Sequence, residues 1–206
     1  MKVTQVVELS KTRSKVYIEQ EFAFVLYKGE LRLYHIYEGG ELKEEDYRRI
    51  MEEVLPKRAK LRAMNLLKSK EYTTAQLRAK LAQGFYPDSV IQHALDYVDS
   101  FHYTDDFRYA VDFITYNENS KSRKKIEQDL ISKGIGKDVI ANAWAEWEAQ
   151  GGVQDEQAMI AELLAKKHYN PETTDYKEKQ KLFAFLIRKG FSGEQIRKGL
   201  LMGLYS

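Results

Sequence analysis

Lys121, Arg123, Lys124 and Lys125 crowd into one short stretch at the expected start of a helix. Cations there oppose the helix dipole, at a cost of a few tenths up to about 1 kcal/mol. A positive cluster in an unfavourable place points to use against phosphate or an acidic protein surface. The plainer reading is a solvated helix end, with Glu127 and Asp129 softening the charge. A second basic set follows: Lys177, Lys179, Lys181, Arg188, Lys189, Arg197 and Lys198. Lys189 directly precedes Gly190 and suits a helix C-terminus, whereas Arg197 and Lys198 share a helix with the apolar Ile196 and Leu200 and should face water. The chemistry available to both sets is attraction for an anionic partner. They are the expected partner-binding residues, with Lys189 set aside as a cap.

Bond-making chemistry finds no constellation. Asp105 and Asp106 are adjacent in sequence, so on a helix they point different ways and read as a helix-start pair. The histidines at 35, 93, 102 and 168 lack ligand spacing, so no metal site is expected. No GxxxxGK[ST], GxGxxG or GxSxG motif occurs. The expectation is a non-enzyme without cofactor. Tyr116 near the first cluster and Tyr176 beside Lys177 are candidates for stacking bases, although tyrosines more often fill half-wet seams between helices. Trp144 and Trp147 read as core or seam residues.

The 206 residues are 43% hydrophobic and 31% charged, enough for one good core or one core plus an appendage. The absence of cysteine excludes disulfides and thiolate chemistry. No long apolar run suggests a membrane span, and the N-terminus lacks a signal-peptide stretch, so a cytoplasmic address is expected. Net charge is only +2, but residues 157–206 carry 9 basic and 5 acidic groups, a local +4. That excess allows an anionic partner without demanding one.

These residues must be positioned by helices, apart from the first forty positions. There Val16, Ile18, Phe22, Phe24 and Leu26 alternate with the period of a strand, and Gln20-Glu21 is the expected turn between two strands. Lys28-Gly29 should end the second, and residues 31–37 fit either a third strand or a short helix before Gly39-Gly40. From Glu44 to Val54 the pattern is helical, with Pro56 ending that helix or starting the next.

Beyond this point the chain repeats. Leu77 and Leu81, Ile126 and Leu130, and Leu182 and Leu186 each lie one helical turn apart. Each pair precedes a glycine and a large apolar residue: Gly84-Phe85, Gly134-Ile135 and Gly190-Phe191. Such a glycine suits the left-handed position that closes a helix, with the apolar residue packing back on the last turn. Ile91, Ile140 and Ile196 each follow 14 residues after the first member, then Leu95, Trp144 and Leu200 four residues later. The turn at Gly84 is shifted by one residue, and Ser192 to Gln195 has capping-box spacing.

The expected fold is mainly α: three tandem three-helix repeats forming an elongated curved body, with a small N-terminal β-containing extension. The expected boundaries are 1–40 for the extension, 41–58 for a linking helix, and 59–106, 107–156 and 157–206 for the repeats. Stacked short units present ridges and grooves rather than a deep pocket, which favours a macromolecular partner.

The chain resembles the RecX family, bacterial regulators of the RecA recombinase. The likeness rests on the tandem Leu-x-x-x-Leu…Gly-Phe elements, on Tyr103-Thr104-Asp105-Asp106-Phe107 between the first two units, and on Asp155-Glu156 before the third. Glu21-Phe22-Ala23-Phe24, with Gly40-Glu41-Leu42 before an acidic helix, looks like the extension of Gram-positive members. The likeness spans essentially the whole chain. Gly136 close behind Gly134, and Trp144 and Trp147 in place of Leu95 and Val98, depart from the repeat. The resemblance implies a protein that binds RecA and its filament on single-stranded DNA and inhibits recombinase, ATPase and co-protease activities; a monomer is the expected state, which the sequence leaves open. At most weak direct DNA contact and no membrane are expected with it. The alternative is a helical-repeat protein that binds single-stranded nucleic acid directly.

Overall fold

A computed structural model describes residues 1–201, so the last five positions of the third expected repeat lie outside the described residues. The chain divides into two compact units, residues 1–105 and 106–206.

The first unit opens with an antiparallel meander of β1 (Val3–Ser10), β2 (Arg13–Ile18) and β3 (Glu21–Tyr27), in the order β1-β2-β3. Val16, Ile18, Phe24 and Leu26 are buried, as their alternation requires. The reversal falls on Glu19-Gln20, one residue earlier than expected, because both residues adopt positive φ, the geometry that matches strand twist in a two-residue hairpin. β1 is not evident in the sequence. An irregularity between Val3 and Gln5 breaks its register, so Val3 and Val6 both face the core and no clean alternation survives.

Lys28-Gly29 does not simply end a strand. It opens α1 (Lys28–Leu33), where the Glu30 carboxylate reaches back to accept the Tyr27 N–H at 2.8 Å. Pro56 falls in the first turn of α3, as one of the two expected readings has it, but no break in the chain precedes it. α2 (Glu44–Arg49), a π-helical turn (Ile50–Val54) and α3 (Leu55–Leu67) form one continuous helical path, the residues at the joints all staying helical. A proline ring displaces the backbone hydrogen bond of its turn, and the widened turn just before it absorbs that defect. α4 (Thr74–Ala82) and α5 (Asp88–Ser100) complete the first three-helix repeat, with Thr73 and Gln76 forming a capping box on α4.

Sheet and helices share one core, in which Val16, Phe24 and Leu26 join Ile50, Leu55, Leu77, Leu81 and Ile91. The extension is therefore docked on the repeat. Arg58 on α3 fastens it from the side. It pairs with Glu30, donates to the Val25 carbonyl at 3.2 Å and lies over the Tyr27 ring at 4.6 Å.

The second unit carries α6 (Asp106–Asn117), α7 (Arg123–Ser132) and α8 (Lys137–Ala149), then α9 (Glu156–Ala165), α10 (Tyr176–Arg188) and α11 (Gly193–Gly199). Ile126, Leu130, Ile140 and Trp144 centre one core, and Leu182, Leu186, Ile196 and Leu200 the other. Gly134 and Gly190 take φ of +85° and +93°, and the next N–H groups, of Ile135 and Phe191, close back on the Leu130 and Leu186 carbonyls. Ser192 and Gln195 form the expected capping box.

The first repeat departs here. Phe85, with φ of +61°, takes the left-handed position rather than Gly84, and Tyr86 occupies the place of Ile135 and Phe191. A non-glycine residue in that region costs about 1–2 kcal/mol. Phe85 gains an edge contact with Phe22 at 6.4 Å and a Lys15 ammonium 4.3 Å from its ring, so the strained residue spends its side chain on the sheet.

Candidate functional site

The first basic cluster forms at the head of α7. Ser122 is buried, and its hydroxyl accepts the Lys125 N–H at 3.2 Å, satisfying one of the helix's open donors. Lys121 and Lys125 both turn onto Asp129, at 2.9 and 2.6 Å. Burial raises the affinity of the Asp129 carboxyl for a proton, but the two lysine hydrogen bonds and charges outweigh it and hold the carboxyl below its ordinary range. Arg123 lies over Trp144 at 4.5 Å and pairs with Glu148 at 2.7 Å and Glu127 at 3.3 Å. Carboxylates gathered from four places thus offset the dipole cost, since Glu156 also accepts the Arg123 N–H. Only Lys124 of the four is exposed without an ion pair among the described residues.

Asp129→Asn is expected to lower the stability of the second unit by about 1–2 kcal/mol at neutral pH. A carboxyl with a depressed folded pKa contributes stability that is present above its ordinary value of 3.8 and lost as pH falls through the folded one. Urea titrations of both proteins should therefore converge as pH drops below 3.8.

The C-terminal set is partly spoken for. Lys179 donates to the Pro171 carbonyl at 3.0 Å, Lys181 pairs with Glu178 at 3.2 Å, and Arg197 sits 5.9 Å from the Phe183 ring centroid. Lys177, Arg188 and Lys198 are exposed and form no ion pair among the described residues. Lys189 lies 5.8 Å from the Phe185 ring and follows the last turn of α10, as expected of a cap residue.

The fold brings the two sets together at one point. The head of α7 meets the end of α10, where the Ser122 N–H donates to the Lys189 carbonyl at 3.0 Å. Glu156 clips the joint, accepting the Arg123 N–H at 3.1 Å on one oxygen and the Gln195 amide at 2.8 Å on the other. A groove of about 560 Å³ runs beside it, lined by Lys124, Gln128, Ile187, Phe191 and Gln195 among others. Arg188 is the sequence neighbour of that lining. Lys177, Lys179 and Lys181 stand 11 to 7 residues before Arg188 on α10, about 16 to 10 Å away along the axis, and do not line the groove.

Other expectations resolve simply. Asp106 opens α6, and Asp155 caps α9 by accepting the Gln157 and Ala158 N–H groups. His35, His102 and His168 all hold left-handed positions after helices, a structural use. Trp144 and Trp147 are buried at 90° to one another, and the Trp147 indole donates to Glu118 at 2.6 Å. Tyr116 and Tyr176 do not fill seams: they are 88% and 68% exposed, because each points off the outer face of its helix. No group of three or more candidate metal ligands occurs among the described residues, and none of the described helices is long and apolar enough to cross a membrane.

One feature escapes the sequence reading. Residues 54–70 hold six cations (Lys57, Arg58, Lys60, Arg62, Lys68 and Lys70) and no carboxylate. Charge counted over 59–106 balances at 6 and 6 and conceals the run; counting helix by helix reveals it.

Comparison with known proteins matches the family models for the RecX first three-helix domain, at residues 59–97, and the RecX third three-helix domain, at residues 154–200. The regulatory protein RecX of Clostridioides difficile strain 630 is 27% identical over 192 residues, covering 91% of this chain and 88% of the relative. That of Clostridium acetobutylicum is 29% identical over 190 residues, covering 90% and 87%. A crystal structure of regulatory protein RecX shares the fold, with a TM-score of 0.57 at 23% identity, covering 97% of this chain and 98% of that one. Repeat positions, caps and extension agree with these matches: over about nine-tenths of its length this chain is similar to RecX regulatory proteins, and it matches their first and third three-helix domains.

Proposed function

We propose that this chain is a non-enzymatic regulator that binds the RecA recombinase and its filament on single-stranded DNA and lowers its recombinase, ATPase and co-protease activities. Similarity to RecX regulatory proteins supports the regulatory role. The observation that carries the reading to a surface is the groove beside the α7–α10 joint, where unpaired Lys124 shares the lining with apolar Ile187 and Phe191 and exposed Arg188 follows Ile187 in the chain. Free cations around an apolar strip suit an acidic protein face better than a small substrate. Lys177, Lys179 and Lys181, away from the groove toward the other end of α10, and Arg197 and Lys198 on α11 are further candidate contacts. Lys121, Arg123 and Lys125 act instead as the scaffold behind Lys124. The chain acts as a cytoplasmic monomer without cofactor, its repeats divided near residues 59–106, 107–156 and 157–206.

Reversing Lys124 and Arg188 together to glutamate should leave the fold intact, since neither makes an ion pair among the described residues. Binding to preformed RecA filaments, followed by co-sedimentation, is expected to weaken about 10-fold, mostly at low salt. Unchanged binding by the folded double variant would remove this groove from the contact.

A further inference from the structure

We infer that the first unit carries a stacking surface for single-stranded nucleic acid, built from Phe101 and Tyr103 and flanked by Lys60 and Lys68. The rings of Phe101 and Tyr103 stack 5.6 Å apart at 17°, and Tyr97 continues the array at 5.1 Å from Phe101. Phe101 and Tyr103 remain 54% and 48% exposed. Aromatic side chains of this size normally seek cover, so two that stack in the open call for a partner.

The backbone presets the arrangement. His102 takes φ of +54° as α5 ends, and the Tyr103 N–H closes back on the Val98 carbonyl at 2.9 Å. That left-handed step swings Tyr103 alongside Phe101, so no ordering of this turn is needed when a base arrives.

Charge selects the partner. The Lys60 ammonium stands 4.8 Å from the Tyr97 ring centroid, and Lys68 lines a hollow of about 310 Å³ with Met64, Leu67 and Tyr103. Both lysines belong to the carboxylate-free run of residues 54–70. On α5, Asp99 is two residues from Tyr97 and from Phe101, so it falls on the opposite face, and Asp96 is held by Gln92 at 2.7 Å. Flat π faces beside ammonium groups match unpaired bases on a phosphate backbone, where stacking is tolerant of sequence. In a duplex the base faces are already stacked on one another and are not available.

The test needs no recombinase, so its failure is separable from that of the regulatory reading. Full-length protein is titrated onto a labelled oligothymidylate and onto an abasic strand of the same length, with anisotropy as readout. The wild type should bind the oligothymidylate roughly five-fold or more tighter than the abasic strand. Phe101→Ala/Tyr103→Ala should abolish that preference, and Lys60→Gln/Lys68→Gln should keep it while flattening the logarithmic salt dependence by about 1 to 1.5. Phe101→Leu/Tyr103→Leu, which retains apolar bulk without a π face, serves if the alanine pair does not fold. Absence of wild-type binding, equal affinity for the two strands, or a preference that survives loss of both rings would each overturn the inference.

Discussion

Gly190→Ala is expected to destabilise the second unit by about 2–5 kcal/mol, the sum of a left-handed penalty and an overpacking term. Gly190 has φ of +93°, where an L side chain is strained whatever the space. Space is also absent. A methyl group built there collides with the Lys125 Cβ and the Ser122 hydroxyl, the residues that start α7. The same approach lets the Ser122 N–H reach the Lys189 carbonyl, so the substitution strains the joint between the second and third repeats as well as one turn. Gly151→Ala is the control. Its φ is +91°, but nothing lies within 4 Å of the added carbon, so only the conformational part, about 1–2 kcal/mol, should be lost. Denaturant midpoints of both variants decide the matter. Equal losses would mean that the close approach at the joint has no energetic weight.

Arg58→Ala should cost the first unit about 2–4 kcal/mol, because breaking a half-buried pair leaves the partner charge uncompensated. The change removes the bond to the Val25 carbonyl, the cover over Tyr27 and the guanidinium that faces Glu30. Glu30 also holds the Tyr27 N–H, so its displacement reaches the junction of β3 and α1. Arg58→Met keeps the stem while losing the charge and should recover a minor part of the stability. Amide exchange locates the effect: protection should fall first at Val25 and its neighbours on β3. An unchanged unfolding midpoint, or exchange lost evenly through the helices, would show that the sheet is held by its apolar face alone.

Helical residues that recur with a turn's spacing proved readable because every copy answers to the same local physics. Leu77, Ile126 and Leu182 begin equivalent buried pairs, and Gly134 and Gly190 sit where only a glycine is comfortable. What sequence hides is whatever depends on a distant partner. β1 is obscured because an irregularity puts Val3 and Val6 on one face. Phe85 replaces the glycine expected at its turn because contacts from Phe22 and Lys15, far away in sequence, compensate the strain. The head of α7 looks like a free positive cluster until Glu148 and Glu156, brought by α8 and α9, meet Arg123. Arg123 with Glu127 and Lys125 with Asp129, each four residues apart, are the pairings that the sequence spacing already offers as nearby softening charge. For the same reason the exposed set shrinks from ten expected contact residues to a few with no internal partner, and Lys124 stands out only once its neighbours are paired.

The most direct test is single-stranded-DNA-dependent ATP hydrolysis by RecA, with this protein titrated onto preformed filaments and bare-DNA binding measured in the same buffer. The regulatory reading predicts that hydrolysis falls at protein concentrations well below those that coat bare DNA, and that Lys124→Glu/Arg188→Glu shifts the inhibition to higher concentration. Hydrolysis that falls only where bare DNA is saturated, or not at all, contradicts it; the first result would make the nucleic-acid surface of the first unit the main activity.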